Sequence, residues 1–99
     1  MPAAHLLFMI CTGHTCWPPR INIQASTNVI VNTIPWHRQT DKWMVHCCPH
    51  GNHVHCHDSV LARGSPDVYV NNLQAGREGD PVACGSYAVG GSPNVYANG

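Results

Sequence analysis

The sequence predicts an all-β fold assembled from three short repeats. Laid in register, three eight-residue segments follow the pattern (G/A)-S-(P/T)-(N/D)-V-(I/Y)-(V/A)-N and begin at Ala25, Gly64 and Gly91. Gly and Pro supply 9 and 8 of the 99 residues, a content typical of turn-rich β-structure. No apolar pattern with a helical period extends over about ten residues, so we expect strands and turns throughout.

Each repeat is expected to form a turn followed by a strand. Gly, Ser, Pro and Asn open the pattern and set the turn, and β-branched and aromatic residues then alternate around an apolar face. In the second copy, Asn71-Asn72 predicts a hairpin turn between two short strands, and Gly79-Asp80 predicts the turn that follows. Each unit is therefore expected to be a β-hairpin and a loop.

The spacing of the repeats predicts how they assemble. Their serines, Ser26, Ser65 and Ser92, are 39 and 27 residues apart, and the longer interval holds a Cys/His-rich insertion from His46 to His57. Units this small cannot bury a face alone, so the three must pack together, most simply around a threefold pseudo-axis. We expect one domain, residues 1–99, small enough to need a staple besides its core.

Charge and cysteine content limit the function classes. Five Lys/Arg against five Asp/Glu give a net charge of zero, which removes the usual electrostatic drive for binding nucleic acid. The longest early apolar run, Leu6 to Cys11, is too short for a signal peptide or a membrane span, so we expect synthesis in the cytoplasm. Six Cys and eight His then favour a metal site over a disulfide framework, which stays as the alternative.

The sequence resembles the PAAR-repeat family of spike-tip proteins. The resemblance covers about Cys11 to Gly99 and is carried by the three repeats, by the Gly76–Asp80 turn and by the segments Gly13-His14-Thr15-Cys16 and Cys84-Gly85-Ser86. Three further segments resemble the phage-type branch of the family: Trp17-Pro18-Pro19-Arg20, Pro35-Trp36-His37-Arg38 and Val45-His46-Cys47. The tetrapeptide Pro-Ala-Ala-Arg itself is absent; its places are taken by Trp36-His37-Arg38 and Ala75-Gly76-Arg77.

The resemblance implies both a fold and a function. The fold would be a small cone of three β-hairpin repeats with pseudo-threefold symmetry, closed at its apex by a zinc ion. Its broad base would dock on the blunt end of a homotrimeric β-helical spike, one monomeric tip per trimer, within a phage virion at the tip of the tail's central spike. There it would sharpen the spike and help to pierce the target outer membrane. The alternative is a valine-glycine-repeat spike of a bacterial type VI secretion system, which the tip would join in the cytoplasm before secretion.

The resemblance also implies the zinc ligands, because the family's usual set is three His and one Cys. The matching positions, each expected in a loop between repeats, are His14, His46, His57 and Cys84. His46 follows Asp41 by five residues and Cys84 follows Asp80 by four, so these two ligands are expected in equivalent loops. The alternatives to His57, which lie in the same stretch of chain, are His50, His53 and His55.

Other residues are assigned structural roles. His37 is expected to be a hydrogen-bonded structural histidine. Docking is expected through the strands around Val29, Val68 and Val95. The cysteines outside the ligand set are expected to be small buried or loop thiols: Cys11, Cys16, Cys47, Cys48 and Cys56.

Two other function classes fit the sequence less well. A zinc hydrolase needs an open coordination position and a general base, but the only Glu is Glu78, in a turn of the second repeat, and Asp58 is the sole carboxylate near a ligand. A nucleic-acid-binding zinc finger would need C-x-x-C pairs, which are absent. We therefore expect a structural protein and not an enzyme.

Overall fold

The computed structural model describes residues 1–14, 16–50 and 52–98, without the side chain of His50. This part of the chain contains strands, bridges and turns but no helix, which confirms the all-β prediction, and thus no helix that could cross a membrane. The molecule is elongated, with extents of 44 × 24 × 22 Å. The strands are β1 (Ile10–Cys11), β2 (Ile30–Val31), β3 (Ile34–Pro35), β4 (His46–His50), β5 (His53–His57), β6 (Tyr69–Val70), β7 (Leu73–Gln74) and β8 (Ala88–Val89).

The first two repeats form the predicted hairpins. β2 pairs antiparallel with β3, and β6 pairs antiparallel with β7. Asn71 and Asn72 occupy the turn with φ of 54° and 67°, and Asn32 and Thr33 occupy the equivalent turn with φ of 52° and 70°. Two successive positive φ values are the signature of the tight hairpin turn that matches the twist of the strands, and Asn tolerates them better than most residues.

The third repeat is completed by the start of the chain. In the first two repeats the amides of Trp36 and Ala75 donate to the carbonyls of Val29 and Val68. In the third repeat the corresponding donor to the Val95 carbonyl is the amide of Ala4. The expected third hairpin is thus replaced by a pairing between the two ends of the chain, with Ala3 bridged to Tyr96.

Backbone hydrogen bonds close the three units into a ring. The His37 amide donates to the His5 carbonyl, the His5 amide to the Gly76 carbonyl, and the Gly76 amide to the His37 carbonyl, at 3.1, 3.0 and 2.8 Å. The backbone segments approach so closely that a Cβ at Gly76 would lie 2.5 Å from the His37 carbonyl oxygen. Glycine is therefore required at this point, and the ring demonstrates the pseudo-threefold arrangement directly.

A second ring involves the repeat serines. Ser26 Oγ donates to Asn71 Oδ1 at 2.6 Å, Ser65 Oγ donates to the Asn98 carbonyl, and Ser92 Oγ donates to Asn32 Oδ1. Each serine oxygen also accepts hydrogen bonds from the amides two and three residues further along its own turn. The serine therefore fixes its own turn and joins it to the next repeat, which explains its presence in all three copies.

Two apolar clusters fill the interior. The base cluster lies beneath the repeats and consists of Ala4, Leu6, Val31, Trp36, Val70, Ala75 and Ala97. The apex cluster lies beneath the Cys/His-rich end and consists of Cys11, Trp43, Leu61, Val82 and Ala88. Cys84 packs against the apex cluster, so the candidate metal site rests on the smaller of the two cores.

Candidate metal centre

Four side chains converge beyond the apex cluster. Their ligand atoms all lie within 4.8 Å of one another, and the group could hold a metal ion. His46 is buried, whereas the other three members are partly exposed. The group consists of His14, His46, His57 and Cys84, the four positions chosen from the sequence.

The Cys/His-rich insertion forms a β-hairpin that supplies two of the four side chains. β4 and β5 pair antiparallel, and His46 lies directly opposite His57 in the register. Directly paired residues project to the same face of a hairpin, so the register alone brings the two rings together. The expectation that every ligand lies in a loop is therefore wrong for these two, because the insertion folds back on itself as the paired strands β4 and β5.

The three imidazoles face one another through their Nε2 atoms. His57 Nε2 lies 2.6 Å from His46 Nε2 and 3.2 Å from His14 Nε2. Ligand nitrogens of a tetrahedral zinc site are separated by about 3.3 Å. A neutral imidazole carries a single N–H, so three converging nitrogens cannot all be satisfied by hydrogen bonds to each other, whereas a shared cation satisfies all of them. The donor set thus fits a metal ion.

The surroundings of His46 favour its Nε2 as a ligand atom. Its Nδ1 lies 2.9 Å from the Pro18 carbonyl oxygen, so Nδ1 carries the proton and the Nε2 lone pair faces the site. Burial lowers the pKa of His46, and the neighbouring Arg20 and His57 lower it further. Burial and the neighbouring His14 likewise lower the pKa of His57. Both shifts favour the neutral form of imidazole, which is the form that binds metals.

Trp17 covers one side of the site, a role that sequence reasoning missed. Its ring stacks on the His14 ring at a centroid distance of 4.9 Å and on the His57 ring at 4.8 Å. Its indole Nε1 donates to the His55 carbonyl at 3.2 Å. Trp17 thus fixes both imidazole planes and attaches the His14 loop to β5. The sequence feature that could have indicated this role is the position of Trp17 three residues after His14.

Two disulfides brace the same region, so the expectation of free thiols is wrong for four cysteines. Cys47 bonds to Cys56, its direct partner in the β4–β5 register. Cys48 bonds to Cys16 in the His14 loop. Successive residues of a strand point to opposite faces, which is why adjacent Cys47 and Cys48 can form two separate bridges. Cys11 is a buried free thiol, as expected.

The remaining histidines lie outside the four-residue group. His53 and His55 follow each other on β5 with ring centroids 6.5 Å apart, and the side chain of His50 lies outside the described residues. His37 is fully buried, with its Nδ1 3.0 Å from His5 Nδ1, which confirms its structural role. His5, for which no role was predicted, is its buried partner.

The family comparison agrees with this geometry. The family model of the PAAR motif matches residues 12–90, a span that contains all four converging side chains. No curated protein matches the chain. A match over most of the chain confirms the resemblance noted above: the chain belongs to the PAAR-motif family, whose members are structural spike tips of contractile injection systems.

Proposed function

We propose that this protein caps the central spike of a contractile phage tail and helps to pierce the envelope of the target cell. The whole of residues 1–99 would act as one monomeric tip, with one tip on each spike trimer. The observation that carries this proposal is the threefold ring of repeats. A base with three equivalent units can make the same contact with each chain of a homotrimer, which a single-unit domain of this size cannot do.

The docking face follows from the exposed residues of the three units. Ile30, Tyr69 and Tyr96 occupy the same position in each repeat and are 51, 56 and 49% exposed. The valine that precedes each of them lies partly buried against the base cluster, in the strands around which docking is expected. Three apolar or aromatic side chains in a ring suit the apolar end of a β-helical trimer, and aromatic residues are favoured at the centre of interfaces. The absence of net charge argues against a nucleic-acid partner.

We assign the metal as zinc, held by His14, His46, His57 and Cys84. Three imidazole nitrogens and one thiolate make a closed tetrahedral set, which is characteristic of structural zinc. When bound, zinc would supply a cross-link and no reaction chemistry. Such a cross-link joins segments that lie far apart in the sequence, and it would stiffen the end of the molecule that meets the target.

A hydrolytic role has little support in the same geometry. A catalytic zinc keeps one position open for water and needs a general base beside it. Cys84 takes the fourth position here, and Glu78 lies in an exposed turn at the level of the repeat ring, where its amide donates to the Ala3 carbonyl. We therefore propose a mechanical function and no catalysis.

Docking is tested by mixing the purified protein with the trimeric β-helical spike of a contractile phage tail and measuring stoichiometry by light scattering. We expect one chain per trimer, and we expect the triple variant I30D/Y69D/Y96D to lose binding. Val54→Asp is the control, because Val54 is also an exposed apolar residue but lies on the β4–β5 hairpin. Binding that survives the triple variant, or that V54D abolishes, would contradict the assigned face. Preferential binding to a valine-glycine-repeat spike would move the protein to the type VI system.

A further inference from the structure

We propose that Arg20 is the positioning residue of the metal centre. This inference rests on the zinc site proposed above. Its guanidinium Nη2 donates to Cys84 Sγ at 3.1 Å. Its Nη1 donates to the His57 carbonyl at 3.2 Å and to the Met44 carbonyl at 3.0 Å. A single side chain thus contacts two of the four proposed ligand residues and the segment that leads into His46.

The backbone of Arg20 adds a connection to the interior. Its carbonyl accepts a hydrogen bond from the Cys11 amide at 2.9 Å, within the apex cluster. The carbonyl oxygen of Pro18, two residues earlier, accepts a hydrogen bond from His46 Nδ1. The short segment from Trp17 to Arg20 therefore orients His14, His46, His57 and the sulfur of Cys84 from one side.

Among the described residues, Arg20 lacks the carboxylate partner that Arg38 and Arg77 have. Arg38 and Arg77 form ion pairs with Asp41 and Asp80 at 2.9 and 2.8 Å. Within the described residues, Arg20 is only 5% exposed, makes no ion pair with a carboxylate, and leaves its Nε without a hydrogen-bond partner. A buried cation is costly unless an anion lies beside it, and the sulfur of Cys84 is the group in that position.

The contact has a specific consequence for a bound metal. A metal-bound cysteine is a thiolate, and an N–H···S hydrogen bond from a cation withdraws electron density from the sulfur and fixes its direction. Arg20 would therefore hold Sγ where it completes the tetrahedron with the three imidazoles. It would also offset the negative charge that the thiolate brings into the site.

Cobalt and zinc binding to the full-length protein test this role. Cobalt in a site with a thiolate shows a sulfur-to-metal charge-transfer band in the near ultraviolet, and zinc affinity follows by competition. We expect Arg20→Met to weaken binding about 10- to 100-fold, the usual effect of removing a partner of a ligand. We also expect the band to move to longer wavelength, because the sulfur becomes a stronger donor. Arg20→Lys keeps the charge but not the several N–H donors of the guanidinium group. Its affinity and its band position should therefore lie between those of the wild-type protein and R20M.

Arg63→Met is the matched control, because it removes the same charge from an exposed site outside the group. It should leave affinity and spectrum unchanged. Wild-type affinity and an unmoved band in the Arg20 variants would overturn the inference while leaving the metal centre intact. If R20M does not fold, R20K decides, and a wild-type affinity and band there would overturn the inference equally. If the wild-type protein itself binds neither metal, the metal centre fails, and the role of Arg20 fails with it.

Discussion

The base and the apex of this molecule are stabilised in opposite ways. The base repeats one arrangement three times, so the backbone ring and the serine ring each distribute their hydrogen bonds over equivalent positions. The apex has no such repetition: it depends on single side chains, two disulfides and a candidate metal site above a five-residue cluster. Because the base makes each contact three times, the loss of one contact leaves two equivalent contacts in place. Each cross-link of the apex is made once and has no equivalent.

The difference matches the proposed mechanics. A base that docks on a trimer needs three similar contacts, and one short sequence pattern used three times supplies them. An end that meets an envelope needs stiffness at small cross-section, where too few residues are available to build a large core. Covalent and metal cross-links are the means by which small β-structures reach that stiffness.

Removing the metal should have the largest effect and should act on the apex first. Structural zinc contributes on the order of 10 kcal/mol of apparent folding free energy in small domains. In the chelator-treated protein we expect the amides of Trp43 and Ala83 to lose protection from hydrogen exchange, while those of Trp36 and Ala75 keep theirs. All four amides are bonded to backbone carbonyls, so they report on equivalent bonds in the two halves. Equal loss of protection at all four would contradict the division into a base and an apex.

Acid should destabilise the protein through the buried His5–His37 pair even when no metal is bound. Burial lowers the pKa of His5 to about 4, and burial together with the neighbouring His5 lowers the pKa of His37 to about 3. The unfolded chain takes up these protons near pH 6.5, so stability is full above that pH and falls as the pH drops toward 4 and then 3. The expected loss between pH 7 and 4 is on the order of 5 kcal/mol.

Urea titrations of the metal-free protein measure this slope without interference from the release of metal at low pH. The charged neighbours of the pair are Arg38, which opposes protonation of His37, and Asp41, whose backbone favours it. His37→Gln keeps a polar side chain that does not titrate, so it should flatten the slope. His53→Gln removes an exposed histidine and should leave the slope unchanged. A slope that His37→Gln leaves unchanged would mean that other groups control the acid response.

Breaking the Cys16–Cys48 bridge should separate the His14 loop from β4. For bridged residues 32 positions apart, the loss of chain constraint corresponds to about 4 kcal/mol. We expect the C16S/C48S variant to unfold at correspondingly lower denaturant and to release bound zinc faster to a chelator. The matched control is C47S/C56S, whose bridge spans nine positions within one hairpin and whose loss should cost about 3 kcal/mol. Equal zinc release from the two variants would contradict a special role for the longer bridge.

The sequence predicted the repeated half of the molecule better than the other half. Three copies of one pattern specify turns, strands and a threefold arrangement, and the Asn71-Asn72 turn formed as expected. The pairing of Ala3 and Ala4 with the third repeat was missed because two alanines carry no motif. The disulfides were missed because spacing does not reveal which cysteines a strand register places opposite each other.

The four converging side chains were chosen by family resemblance and not by physical chemistry alone. Nothing in the composition distinguishes His57 from His53 or His55, since all three alternate along the same strand. The β4–β5 register makes the distinction, because it sets His57 opposite His46. Register depends on the turn and on cross-strand pairs, which are non-local information that a single sequence expresses weakly.

The smallest effect, and the sharpest test of equivalence, is expected from the repeat serines. Each of S26A, S65A and S92A removes one hydrogen bond to the next repeat and the acceptor for two amides of its own turn, at a cost of about 1–2 kcal/mol. Because the three serines occupy the same position, the three costs measured by thermal unfolding should agree within about 0.5 kcal/mol. Thr27→Ala is the control, since it removes an exposed hydroxyl from the same turn as Ser26 and should change stability by less than about 0.5 kcal/mol. Three unequal costs would mean that the three serines are equivalent in geometry but contribute differently to the stability of the base. Equal costs with unchanged metal affinity would establish that the two halves are stabilised independently.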